Sequence, residues 1–251
     1  MSRLAALPTR RDEVWRYSDL DAVARVWPAA EPERLVVAAG EQRSLALLLD
    51  EGIESVVIRD HQVEIGAGGV LTVHLLTLGG ALGRVTFDVT LARGAHFELK
   101  AALVGSAAQT IELVTTVTHA EPEATSQQTV RAIAAGHATT SYLGQIRVAR
   151  DAQKTDAAQS FKAMLLDRTA TANAKPELEI FADDVKCAHG ATVGELDKAA
   201  LFYMASRGLD PAGARALLLR AFIAGLFDDM TDEGEHARFE AAALAKLEAL
   251  G

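Results

Sequence analysis

The residues best suited to chemistry in this 251-residue sequence lie together: Cys187, the single cysteine, and His189, two positions further on. They sit within Glu179-Ile-Phe-Ala-Asp-Asp-Val-Lys-Cys-Ala-His-Gly-Ala-Thr-Val-Gly-Glu-Leu-Asp197, where β-type sequence gives way to helical sequence. On an extended segment, residues two apart leave the same face, so this thiol and imidazole are spaced to hold one soft metal or sulfur species. The competing reading is plain packing, because a lone cysteine behaves as a small apolar residue and a nearby histidine is often structural. The pair offers two of the four ligands a thiophilic metal usually takes, so a stable site needs others from a partner subunit or a substrate sulfur. His189 is the better ligand. A neutral imidazole ligates near neutral pH, whereas a thiol titrating at about 8.5 must first lose its proton to the metal or to a positive field such as that of Lys186.

Other polar residues carry less. Asp183 and Asp184 are adjacent, and on a strand they would point to opposite faces and not share an ion. His61, His74, His96, His119, His137 and His236 are scattered singly and are expected to be structural or solvated. Asp156 and Gln159 are expected in turn and ladder hydrogen bonding. There is no Gly-rich phosphate loop, no His-Glu-x-x-His and no Gly-x-Ser-x-Gly, so neither ATP hydrolysis nor another enzymatic activity is expected of this chain. Nor do its carboxylates group as polysaccharide-cleaving sites require.

Composition narrows the class. With 49% apolar residues the chain can bury one large or two modest cores. A net charge of −9 argues against nucleic-acid binding, which relies on clustered Lys and Arg. One cysteine forms no internal disulfide, and the first residues lack a long apolar leader, so the reducing cytoplasm is expected. No membrane span is expected, since the apolar run from Ala214 to Met230 is broken by Arg215, Arg220 and Asp228.

The elements that must position the pair follow from periodicity. From Leu4 to about Trp27 the sequence is mixed, with Trp15 and Tyr17 suited to anchoring a terminal segment and a short helix expected from Asp19 to Val26, before Pro28. From Leu35 to about Ile180 the period is two. Val85, Phe87, Val89 and Leu91 define one face; Phe97 to Leu103, Ile111 to Val117 and Tyr142 to Val148 repeat the pattern. Glycines at 66, 68, 69, 79, 80, 83, 94 and 105 suit tight turns between roughly ten strands. A sandwich and a β-solenoid both fit, and loose matches about 30 residues apart, at Thr125-Ser-Gln-Gln128 and Thr155-Asp-Ala-Ala-Gln159, favour the solenoid. Downstream, Thr192-Val-Gly-Glu195 fits a capping box opening a helix that Gly208 closes, and Asp210-Pro211 opens another. In that helix Ala214, Leu217, Leu218, Ala221 and Phe222 form a docking stripe, while Leu219, Ile223 and Phe227 widen it beyond one docked face, as either a helix wedged between the body and the last helix or a partner surface would. A last helix is expected from Asp232 to Leu250, with Phe239, Ala243, Leu247 and Leu250 aligned. The resulting units are residues 1–34, 35–192 and 193–251.

A resemblance sharpens this reading. Ala182-Asp-Asp-Val-Lys-Cys-Ala-His-Gly-Ala-Thr-Val-Gly194, Leu196-Asp197, Leu201-Phe-Tyr203, Ser206-Arg-Gly208 and Ala214-Arg215 closely resemble the SufB and SufD family of iron-sulfur cluster assembly proteins. Thr155-Asp156-Ala157-x-Gln159 and Glu13-x-Trp15-Arg16-Tyr17 are similar to it as well. The resemblance implies a mainly β fold with helical termini: a right-handed parallel β-helix core followed by a C-terminal helical segment. It also implies a scaffold role in the SUF machinery, in complex with SufB and the ABC-type ATPase SufC, and it allows a homodimer. Cys187 and His189 would then lie at the SufB interface, the histidine helping to hold a transient iron-sulfur cluster that the lone chain does not bind stably. The helices from about Glu195 to Met230 would receive SufC, with Leu201, Phe202, Tyr203, Arg207, Arg215, Leu218 and Phe222 as contact residues. A single cysteine suits the SufD branch better than the cysteine-richer SufB branch. The rival within this reading is a structural brace for SufB in which Cys187 and His189 only pack.

Overall fold

The computed structural model describes residues 6–250; the expected start of the N-terminal segment at Leu4, and the first residues of the leader reading, lie outside them. Within that span the alternating segments form twelve strands, against the roughly ten expected, in two six-stranded parallel sheets. One sheet stacks β1 (Glu33–Val37), β3 (Val56–Ile65), β5 (Leu82–Leu91), β7 (Thr110–His119), β9 (Thr139–Val148) and β11 (Thr171–Ile180). The other stacks β2 (Gln42–Leu49), β4 (Val70–Thr77), β6 (His96–Gly105), β8 (Thr125–Ala134), β10 (Asp156–Leu165) and β12 (Lys186–Glu195).

Consecutive strands alternate between the sheets, so the chain winds as a solenoid of about six turns and a sandwich is excluded. Equivalent positions in successive turns lie between 26 (Val70 to His96) and 32 (Thr139 to Thr171) residues apart. That spacing is the source of the repeat near 30 residues.

Strand alternation decides the core. Val85, Phe87, Val89 and Leu91 point inward and are fully buried, as are Phe97, Leu99, Ala101 and Leu103 one strand later. Each turn buries its inner face only against its neighbours, which is why several turns must stack before a core exists. Gly68 and Gly94 take positive φ in the turns, a conformation other residues adopt at a cost, whereas Gly83 and Gly105 lie inside β5 and β6 and not in turns.

Two attachments cover the outer faces. The N-terminal segment, a 3-10 turn at Glu13–Trp15 and α1 (Leu20–Ala24), lies on the odd-numbered sheet, with the Asp19 side chain capping α1 by accepting from the amides of Asp21 and Ala22. Trp15 meets Trp27 edge to face and lies under the Arg84 guanidinium, 3.9 Å from the ring centre, so its anchoring role holds.

The C-terminal segment contains α2 (Lys198–Ser206), α3 (Pro211–Ile223) and α4 (Glu233–Glu248). The expected capping box does not form: Thr192 and Glu195 belong to β12, and Asp197 caps α2 by accepting from the amides of Ala199 and Ala200. The docked face of α3 also differs from the expected stripe, since Ala214, Leu219 and Ile223 are buried and Leu217 is exposed. With Phe239, Ala243 and Leu247 of α4, Leu219 and Ile223 pack on Leu76, Ala102, Val104 and Ile133, on the outer face of the even-numbered sheet.

Candidate functional site at the open end of the solenoid

β12 is the last strand of its sheet and β11 the last of the other, so among the described residues both present an unpaired edge at the same end of the solenoid. β12 pairs with β10 over its whole length, placing Cys187 beside Ala157 and His189 beside Gln159. Ala157 and Gln159 face the interior, and so Cys187 and His189 occupy the inward-facing column of a turn that no further turn covers. The column through His189 reads Leu45, Val73, Leu99, Gln128, Gln159, His189. It is apolar at one end and polar at the open one.

The two candidate ligands differ. Cys187 is half-buried and packs with Ile146, Val148, Ala152 and Ala157. Burial, and then the negative charge of Asp156, push its thiol up, so the activating field expected of Lys186 does not prevail. His189 is exposed. Asp183 and Asp184 lie in the turn before β12 and not on a strand, and Asp184 pairs with Lys154. Among the described residues no three His, Cys, Asp or Glu side chains converge to hold a metal ion.

Below the open end the core turns polar. The Tyr142 hydroxyl donates to Gln128 Oε1 at 3.1 Å and lies 3.3 Å from Thr115 Oγ1, all three residues being buried. Gln159, one turn closer to the opening, is 3% exposed, and neither its Oε1 nor its Nε2 has a partner. The ladder hydrogen bonding expected of Gln159 is therefore that of its backbone alone. The buried histidines are structural. His61 stacks on Phe87, His74 lies 3.0 Å from Asp229, and His119 lies 3.0 Å from Ser126, its imidazole pushed down to about 4 by burial.

A second surface lies on the helices. An apolar groove of about 580 Å³ runs between α2 and α3, lined by Leu196, Leu201, Phe202, Ala205, Pro211, Ala212, Ala214 and Arg215. No residue of α2 is buried; Phe202 is 77% and Tyr203 59% exposed. Of the expected contact residues, Leu201, Phe202 and Arg215 meet in the groove, and Arg207 lies over the Tyr203 ring at 5.2 Å. Leu218 is not brought there, and Phe222 packs instead against the buried cluster beneath α3 and α4.

Residues 33–222 match the family model described as the SufBD core domain of SUF system FeS cluster assembly. The match starts at the first strand and runs into α3. This chain belongs to the SufB/SufD family. SufD of Escherichia coli is 40% identical over 109 residues, which are 43% of this chain and 26% of that protein. ABCI7 of Arabidopsis thaliana, a chloroplastic protein, is 38% identical over 151 residues, 59% of this chain and 31% of its own length. A SufBD family protein of Mycobacterium leprae is 28% identical over 202 residues, 77% of this chain and 52% of its own. The chain thus spans about a quarter to a half of these relatives, and SufD is the family branch it resembles. Among the described residues of this SufBD core, no helix is long and apolar enough to cross a membrane.

Proposed function

We propose that this chain is a non-enzymatic scaffold subunit of iron-sulfur cluster assembly, working in the cytoplasm with a SufB-type partner and a SufC-type ATPase. One observation carries the reading: within a SufBD core, a half-buried thiol and an exposed imidazole share the uncovered inner face of the last turn, beside two unpaired strand edges. Unpaired edges are templates for strand addition by another chain, and the ligands that this site lacks would come with that chain.

His189 serves as the ligand to the nascent cluster, because a neutral imidazole needs no activation, whereas the thiol of Cys187 is held protonated by its surroundings. The α2 and α3 groove receives the ATPase, whose hydrolysis cycle pulls the helices and rearranges the two scaffold subunits around the cluster. A bracing role without a direct ligand is the second reading, favoured by the packing of Cys187 against Val148 and Ala157. Anaerobic reconstitution of the three-protein complex with His189→Ala separates them. The ligand reading expects assembly of the complex with cluster yield reduced about ten-fold or more; unchanged yield would leave only the brace.

A further inference from the structure

Gln159 is the one side chain of the polar core whose amide has no partner on either atom. We infer that Gln159 is a positioning residue for His189: its amide oxygen accepts a hydrogen bond from one ring N–H of the imidazole and thereby presents the other ring nitrogen to the cluster. This inference rests on the ligand role proposed for His189 and adds the group that orients it.

Register and space carry the argument. Gln159 and His189 are partners in adjacent parallel strands, on the same inward face, at the inter-strand distance of about 4.8 Å. A glutamine side chain spans such a step. Gln128, one turn deeper in the same column, already accepts from the Tyr142 hydroxyl, so its oxygen is partnered. Across the interior, Gly144 keeps room for the glutamine: a Cβ at that position would stand 2.9 Å from Gln159 Oε1 and would also collide with the Tyr142 ring. The space beneath the site is therefore shaped around a free amide.

The chemistry supplies the reason for such a group. A neutral imidazole has one N–H and one lone pair, and the acceptor that engages the N–H decides which nitrogen is left to ligate. In the open solenoid His189 is exposed to solvent. Once a second subunit covers the end and excludes water, the amide of Gln159 is the acceptor that this column provides. A buried amide without a partner destabilises a fold, and an apolar residue of similar size would relieve that cost, so its presence here calls for a use.

The experiment uses the full chain in the assembled complex, comparing Gln159→Leu, Gln159→Glu and His189→Ala. Three quantities are read: thermal unfolding of the chain alone, cluster content, and the histidine nitrogen coupling in pulsed paramagnetic resonance of the reduced cluster. Gln159→Leu is expected to unfold no earlier than the unmodified chain and to assemble, yet to lose the nitrogen coupling and about ten-fold or more in cluster content. Gln159→Glu keeps an acceptor, so it is expected to retain the coupling while unfolding earlier. A packing role predicts the reverse order, with leucine tolerated and glutamate impaired. Unaltered content and coupling in Gln159→Leu, with both lost in His189→Ala, would overturn this inference alone. Unaltered content in His189→Ala would overturn the ligand role and this inference with it.

Discussion

The N-terminal segment lies on the outer face of the odd-numbered sheet and the C-terminal helices on that of the even-numbered sheet, yet the two contacts are built differently. Under the N-terminal segment, Arg84 donates to Glu112 Oε2 at 2.7 Å, Ser18 donates to the same oxygen at 2.6 Å, and Arg84 also reaches the Val14 carbonyl at 2.8 Å. Both charged side chains are at most 2% exposed. Under the helices the contact is a broad apolar cluster, and its ionic part, Asp229 with Lys100 and His74, stands at the rim with Asp229 44% exposed. A buried charge pair tolerates one geometry, because displacing either partner strands the other in a medium that solvates it poorly. An apolar face with a wet rim tolerates sliding. The two attachments thus differ in what holds them: the first is pinned by a buried charge pair, and the second rests on apolar burial with ionic contacts only at its rim.

The sharpest way to break this comparison is to remove one charge from the fixed attachment. Glu112→Ala leaves Arg84 buried without its carboxylate, and the expected loss is about 3–5 kcal/mol, the largest effect of any single substitution considered. The paired change Arg84→Met with Glu112→Leu is expected to restore most of it, since no charge then remains buried. Denaturant unfolding followed by tryptophan fluorescence checks both, because the chain's two tryptophans, Trp15 and Trp27, both belong to this attachment. A loss under 1 kcal/mol in Glu112→Ala, on the order of an exposed pair, would mean that the attachment is not pinned by charge.

These contacts also mark what the sequence could and could not reveal. Alternation such as Val85 to Leu91 was legible because each strand buries one face, and Cys187 with His189 was legible because spacing alone sets their common side. Arg84 and Glu112 are 28 residues apart and sit on outward positions that read as solvated; only the register that sets them side by side brings them together. Gln159 is hidden for the same reason, since its meaning depends on the residues one turn away. Thr192-Val-Gly-Glu195 satisfies a capping pattern and a strand equally, and the ladder to β10, continuous to Glu195, outweighs one side-chain cap. The docked face of α3 is not legible in the sequence because the helix is apolar nearly all round, so periodicity offers no polar side against which to choose between Leu217 and Leu219.

The helical attachment should fail through its apolar contact instead. Leu219 is fully buried between α3 and the sheet, and Leu219→Ala is expected to cost about 2–5 kcal/mol from lost burial and the cavity left behind. If the helices form a separable unit, helical circular dichroism falls at lower denaturant than the tryptophan signal, because the cavity weakens the helices' seat and leaves the N-terminal contact untouched. Coincident loss of the two signals would instead make the helices and the solenoid one cooperative body.

The rim contact should contribute least, and its pH dependence has a definite sign. Burial alone would raise the carboxyl of Asp229, but hydrogen bonds from Lys100 and His74 outweigh it and hold the group below its ordinary value. A carboxylate depressed in the folded state contributes stability that is fully present above its unfolded value of about 3.9 and is lost as pH falls through the folded value. Since Asp229 is well exposed, solvent screening keeps that contribution below about 1 kcal/mol. Asp229→Asn is therefore expected to lower helix stability by no more than this at pH 7 and to flatten its decline below about pH 4. Hydrogen exchange in α3 and α4, compared between the variant and the unmodified chain across that range, measures both. A variant as acid-sensitive as the parent would shift the hold on these helices entirely to the apolar face.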